Sequence, residues 1–334
     1  MRKFVKICIV LMMCLLTLCA CSGDKKTDGG EDASLKDFEV ILDWYPNSFH
    51  SFLYVAQEKG YFAEEGLNVT ITAPAGYSDA LTFPAAGKAE AGLYYMDDVT
   101  VAYCDQGMDI KILGTATQES LNVMCALKES GIESPADFKG KTIGYTGSTF
   151  LKAKILTILK DQGLTEDDIT LVDIGFDSIT ALTTGSVDVV AGSMVNSEII
   201  QLEDAGYEVN YWTWDKYGAP REYNTVFVVN KTDYEADQEK YDAFVRACQK
   251  GFDFVKDNPE AAMDIIMNNE DAVNYELDRE VEAKGLQMLI DIENASGVKF
   301  MTMKADVWND MIAWAHENGL VENVKDAKEF VVCE

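Results

Sequence analysis

Residues 42–67, LDWYPNSFHSFLYVAQEKGYFAEEGL, decide how this chain reads. The apolar run 38–42 ahead of them has strand character. Pro46 then drives Tyr45 out of helical conformation, and Asn47 or Ser48 can cap the amphipathic helix that follows. A strand that ends in a polar and aromatic turn and passes straight into a helix is a building unit of α/β layers, and ligands of open α/β sheets sit at such strand ends. The turn presents a flat aromatic face in Trp44, a side-chain amide in Asn47 and an imidazole in His50, a set suited to a small planar heterocycle rather than to a phosphate or a metal. Core packing of Trp44 is the competing reading, because aromatic residues fill cores more often than clefts.

Outward from this stretch the alternation continues. Strands are expected at 38–42, 69–72, 91–94, 110–113, 123–127, 142–145, 169–172, 187–191 and 225–229, with helices at 51–59, 78–86, 150–161 and 197–205. From Gln238 onward the pattern is wholly helical. The apolar strands NVMCALK and NTVFVVNK bracket a middle block that has its own α/β alternation. This predicts an α/β fold with mainly parallel sheets and two lobes joined by a two-segment hinge: lobe I from residues 37–127 and 226–334, lobe II from 128–225. Chains of this design bind a ligand between the lobes and close on it.

The N-terminus reads as an export signal. A basic start, Met-Arg-Lys-Phe-Val-Lys, precedes an apolar stretch too short to span a bilayer, then Leu18-Cys19-Ala20-Cys21 and a polar SGDKKTDGGEDAS. We expect cleavage after residue 20, lipidation of Cys21, and a flexible leash over 21–36, which would tether the protein at the extracytoplasmic face of the cell membrane. The formal charge of −29 disfavours nucleic acid and anionic lipid headgroups as partners. Cys104, Cys125, Cys248 and Cys333 are widely spaced with no CxxC pair, so a zinc cluster is not expected, while disulfides and buried free thiols both remain open. With only His50 and His316, a multi-histidine metal site is excluded.

Three further strand ends carry polar or aromatic groups. KTIGYTGSTFLKAKI places Gly144, Tyr145, Gly147, Ser148 and Thr149 between a strand and a helix, where free N–H groups can hold a carbonyl or anionic oxygen or be capped by Ser148 or Thr149. It matches neither GxxxxGK[ST] nor GxGxxG. GSMVNSEII repeats the layout, with Asn196 in a turn and Glu198 opening a helix, either stabilising that helix end or accepting hydrogen bonds from a ring amino group. YYMDD offers stacking faces in Tyr94 and Tyr95, with Asp97 and Asp98 read as helix-start residues. WTWDKYG, with Trp212, Trp214 and Tyr217, covers the cleft mouth or packs at the hinge. Neither histidine has a nucleophile motif beside it, so no catalytic residues are assigned.

LDWYPNSFHSFLYVAQEKGYFAEEGLNV, AAGKAEAGLYYMDDV, ALKESGIESPADFKGKTIGYTGS and NSE together resemble the solute-binding lipoproteins of ABC importers, in particular the thiamin-pyrimidine-precursor-binding, SsuA/ThiY-like branch with riboflavin-binding relatives beside it. The resemblance implies a type II periplasmic-binding-protein fold. It also implies capture of an aminopyrimidine for delivery to an ABC permease and its ATPase, with no cofactor. Carried over by position, Trp44, Asn47 and His50 would line one wall and Tyr95 would add a face. Asn196 and Glu198 would approach from lobe II, and Tyr77 and Ser148 would complete the site.

The alternatives are a riboflavin or alkyl sulfonate cargo, or a pyrimidine-precursor synthase of the same fold. Such synthases hold pyridoxal phosphate on a lysine followed four residues later by a histidine, in a segment similar to GLYYMDD; here those places resemble Tyr94 and Asp98, and the synthases' cysteine cluster is missing, with Ser193, Met194 and Val195 in its neighbourhood. Without the lysine no Schiff base forms, so the protein is expected not to be an enzyme.

Overall fold

A computed structural model describes residues 35–269 and 274–332. The signal, Cys21 and Cys333 lie outside the described residues, as does most of the leash. Among the described residues, ten strands form two five-stranded sheets. The first sheet has the order β2 (Leu67–Thr72), β1 (Lys36–Ile41), β3 (Ala91–Tyr95), β10 (Thr225–Asn230), β4 (Ile110–Thr115). The second has the order β7 (Thr170–Asp173), β6 (Thr142–Tyr145), β8 (Val189–Met194), β5 (Asn122–Leu127), β9 (Val209–Trp212).

The sheets are mixed rather than mainly parallel. β1 runs parallel to β2 and β3, but β10 is antiparallel to β3 and β4; likewise β6 runs parallel to β7 and β8, but β5 is antiparallel to β8 and β9. In each lobe the antiparallel strand is the one that has just crossed from the other lobe. It enters beside the carboxyl ends of its neighbours and must therefore run against them. β10 is buried on both faces: Val226 and Val228 pack to one side and Phe227 and Val229 to the other, which is why it reads as an unbroken apolar run.

Helices cover both faces of the first sheet. Ser51–Glu58 and the long Gln238–Asp257 pack on one side through Phe52, Leu53, Phe244 and Val255, and Met96–Cys104 and Ala305–Glu317 on the other through Val99, Trp308 and Ile312. The second sheet is covered by Thr149–Asp161 on one side and by Ser178–Thr183 and Glu198–Asp204 on the other.

The strand β9, which was not expected, ends at Trp212, the first residue of the aromatic WTWDKYG. Trp212 packs edge-on against Phe138 with rings 5.4 Å apart, and Trp214 is buried in the second lobe's core, so these rings are packing groups and not a cleft cover. Among the described cysteines, Cys104, Cys125 and Cys248 are buried free thiols.

Candidate functional site

The Trp-Tyr-Pro-Asn turn closes on itself. Asn47 Oδ1 accepts the N–H of Phe49 at 2.9 Å and its Nδ2 donates to the carbonyl of Tyr45 at 3.2 Å, so the amide caps the short helical turn Ser48–His50. The N–H of Asn47 donates to His50 Nδ1 at 3.3 Å, which leaves Nε2 to carry the proton and donate to Asp43 Oδ1 at 2.8 Å. His50 is fully buried with both ring nitrogens engaged, so it supports the site through Asp43 rather than by touching a ligand. Asp43 in turn bonds the hydroxyl of Tyr95, whose pKa is pushed well up by burial and by that carboxylate. Asp43 is the link that sequence reading missed, although it directly precedes Trp44.

Around Tyr95 lies an aromatic wall. Tyr77 is stacked at 6.4 Å from Tyr95 and edge-on at 5.7 Å from Tyr94, and its hydroxyl donates to Asp98 at 3.3 Å. Burial, with Asp98 beside it, pushes the Tyr77 hydroxyl up to about 12, so it stays a neutral donor at any physiological pH. Trp44 is 41% exposed, 5.4 Å from Tyr45 and 6.1 Å from Phe176, which is itself 73% exposed and comes from the second lobe. Tyr45 stacks on Tyr275 at 4.6 Å. Trp44 is therefore no core residue, and Phe176 and Tyr275 extend its face in a way no local motif announced, because each sits in a loop far off in sequence.

The second lobe contributes two turns. Ser148 caps the helix Thr149–Asp161, accepting the N–H of Leu151 at 3.4 Å. The preceding Gly147 has φ +76, and a Cβ there would lie 2.7 Å from Asp173 Oδ2, so the turn is closed to larger residues. Glu198 Oε2 accepts the N–H of Met194 at 3.0 Å. Burial raises the pKa of this carboxyl, against the lowering effect of its own N–H and that of Met194. Asn196 is buried, and its Oδ1 has no partner. A Cβ on Gly285 would lie 2.5 Å from the carbonyl of Asn196, so the helix Arg279–Ser296 approaches this turn at backbone distance.

That helix also clamps the other wall. Glu282 accepts the N–H of Ser48 at 2.8 Å, and Lys284 pairs with Asp204 of the second lobe. A second clamp is Lys154, buried in the helix Thr149–Asp161 and bonded to Asp97 at 2.9 Å and Glu222 at 2.5 Å. Burial alone would lower its pKa, but the two carboxylates outweigh that and hold the ammonium above its ordinary range. The structure thus pairs Tyr77 with Tyr95, sets Trp44 in a separate aromatic group with Tyr45 and Phe176, engages Asn47 and His50 in hydrogen bonds of the turn itself, and places Ser148, Asn196 and Glu198 at strand ends of the second lobe.

Two mixed α/β lobes with helix-covered sheets, crossed twice by the chain, are the periplasmic-binding-protein architecture. The crystal structure of the periplasmic aliphatic sulphonate binding protein SsuA from Escherichia coli superposes with a TM-score of 0.70 over 89% of this chain and 97% of that one, at 14% identity. Residues 47–262 match the family described as NMT1/THI5 like, and the chain belongs to that family. It is 34% identical over 314 residues to the formylaminopyrimidine-binding protein of Halalkalibacterium halodurans, covering 92% of this chain and 93% of the relative. It is also 28% identical over 268 residues to the 4-amino-5-hydroxymethyl-2-methylpyrimidine phosphate synthase of Aspergillus parasiticus, covering 77% and 78% of the two chains.

Proposed function

We propose that this chain is the extracytoplasmic substrate-binding lipoprotein of an ABC importer. In this reading Cys21 carries the lipid anchor, an aminopyrimidine precursor of thiamin is held between the lobes, and the loaded protein docks on its permease and ATPase. What carries the reading is the presence of aromatic faces at strand ends of the first lobe, the stacked Tyr77 and Tyr95 and the half-exposed Trp44, and of a carboxylate, Glu198, at a strand end of the second. A planar ring stacks on such a face, and its amino hydrogens are donors that a carboxylate accepts. The 34% identity to a formylaminopyrimidine-binding protein over nearly the whole chain supports the same ligand class.

The acids also weigh against a sulfonate cargo. Asp43, Asp98 and Glu198 would repel an anion, while Lys154, a buried cation, is already neutralised by Asp97 and Glu222. Lys154 is equally unsuited to the synthase reading. Held protonated between two carboxylates, it is no nucleophile for a Schiff base, and by the resemblance above the synthase lysine and histidine correspond to Tyr94 and Asp98. Calorimetry against aminopyrimidines, riboflavin and alkanesulfonates tests the proposal; binding of a sulfonate or flavin with no response to any pyrimidine would overturn it. For the anchor, Cys21→Ser is expected to move the protein from the membrane fraction to the medium or periplasm.

A further inference from the structure

Asn224 stands where the two lobes meet at the carboxyl ends of their strands. It precedes Thr225, which is registered with Tyr95 at the end of β3, and its carbonyl accepts the N–H of Met96 at 3.4 Å. Its Oδ1 accepts the Nδ2–H of Asn122 at 3.0 Å and the N–H of Leu121 at 3.4 Å. Asn122 is registered with Met194 at the end of β8, and the N–H of Met194 is the one that Glu198 holds. One side chain therefore ties both crossing segments together, between the aromatic wall and the carboxylate turn.

The other end of that side chain is unused. Asn224 is 5% exposed and its Nδ2 is buried without a partner. The orientation with Oδ1 toward the first crossing segment is set by the backbone N–H of Leu121, which a turned amide would meet donor against donor. A buried donor left unmade is strongly unfavourable unless something else supplies an acceptor. Asn196, two residues past the end of β8, shows the converse, a buried Oδ1 acceptor without a donor.

We propose that Asn224 is a specificity-determining residue of the cleft, its Nδ2–H donating to an acceptor atom of the ligand, a pyrimidine ring nitrogen or a carbonyl oxygen, while Oδ1 keeps its hold on the crossing segments. The inference rests on the aminopyrimidine reading of the cleft and deepens it. Glu198 accepts from the ligand's amino group, and Asn224 supplies the complementary donor. An aminopyrimidine carries both partners, a donor amino group and an acceptor ring nitrogen, whereas an aminobenzene of the same outline carries only the first.

The test is calorimetry of wild type and Asn224→Asp with a 4-aminopyrimidine and with the matching aminobenzene. Aspartate keeps the oxygen that holds Leu121 and Asn122 but replaces the donor by an acceptor. Wild type is expected to prefer the pyrimidine by at least about tenfold, and the variant to lose most of that preference together with about tenfold or more of pyrimidine affinity. An unchanged preference overturns the role of Asn224 while leaving the ligand class intact. A wild type that does not respond to the pyrimidine fails the ligand reading itself, and this proposal with it. If the variant does not fold, a crystal structure of wild type with the 4-aminopyrimidine decides: Nδ2 within hydrogen-bond distance of a ligand acceptor supports the proposal, and an Nδ2 turned away from the ligand overturns it.

Discussion

His50 Nε2 lies 2.8 Å from Asp43 Oδ1, with the imidazole fully buried and the carboxylate 7% exposed. This pair is the foundation of the aromatic wall, since Asp43 also holds the hydroxyl of Tyr95. Replacing His50 by Ala strands a buried carboxylate and the N–H of Asn47, so we expect about 3 kcal/mol of destabilisation, read as a lowered urea midpoint. Ligand affinity should fall as well, because Tyr95 loses its fixed orientation. A variant as stable as wild type would show that the pair is dispensable.

Glu198→Gln is expected to weaken aminopyrimidine binding by more than about 1 kcal/mol, since a charge-assisted hydrogen bond becomes a neutral one. The amide oxygen still accepts the N–H of Met194, so stability should change little. Because burial raises the carboxyl pKa of Glu198, wild-type affinity should decline as pH falls through that raised pKa, and the Gln variant should lack this component. Equal affinity of the two proteins at neutral pH would return Glu198 to a purely helix-capping role.

Trp44→Ala removes an exposed ring whose partners are Tyr45 and Phe176. The unfolding free energy should shift by no more than about 0.5 kcal/mol, as for other surface changes. Ligand affinity should drop by about 1 kcal/mol from lost stacking. A large stability loss with unchanged binding would make the ring a packing group after all.

Lys154→Met leaves Asp97 and Glu222 as buried carboxylates without a cation, and a loss of about 3–5 kcal/mol is expected on denaturant unfolding. The triple variant with Asp97→Asn and Glu222→Gln should recover most of it, because no uncompensated charge remains. If the single and triple variants are equally unstable, packing of the lysine stem rather than charge is responsible.

Glu293 offers a pH-dependent test of the hinge. Its carboxyl is pushed up to about 7 by burial, opposed by the N–H of Gln118 at 2.7 Å in the first crossing segment. Between the unfolded carboxylate range and pH 7 the folded state holds a proton that the unfolded state releases. The stability this group contributes is thus fully present below about pH 4.5 and is lost as pH rises through about 7, a change on the order of 3 kcal/mol. Unfolding midpoints of wild type and Glu293→Gln at pH 5 and pH 8 should diverge by that trend, with the Gln variant relatively more stable at pH 8. Parallel curves would refute it.

Much of the fold was legible because it is written in short-range patterns. Apolar runs such as Val226–Phe227–Val228–Val229 and the Pro46 turn specify their own backbone whatever surrounds them, and nine of the ten strands were anticipated near their observed positions. β9 was missed because it is short and only its end residues, Val209 and Trp212, are buried, so VNYW carries little apolar pattern of its own; the adjoining Trp212 and Trp214 pack in the second lobe's core. The mixed pairing of β10 and β5 was hidden for another reason. Strand direction depends on where the chain re-enters a lobe, which no window of residues records.

The residue string by itself determined the α/β class, the two crossings, the acidic character of the chain, and the aromatic turn at residues 44–50. Tertiary structure alone decided what each group of that turn does. Asn47 spends its amide on the turn and His50 spends both nitrogens on Asn47 and Asp43, while Trp44 stays open beside Phe176. The acceptor and donor left unpaired, on Asn196 and Asn224, were likewise invisible until both lobes were in place. The reason is physical: helix and strand propensity are local properties of a few residues, but a hydrogen bond satisfied, or left unmade, is a property of pairs brought together from distant parts of the chain.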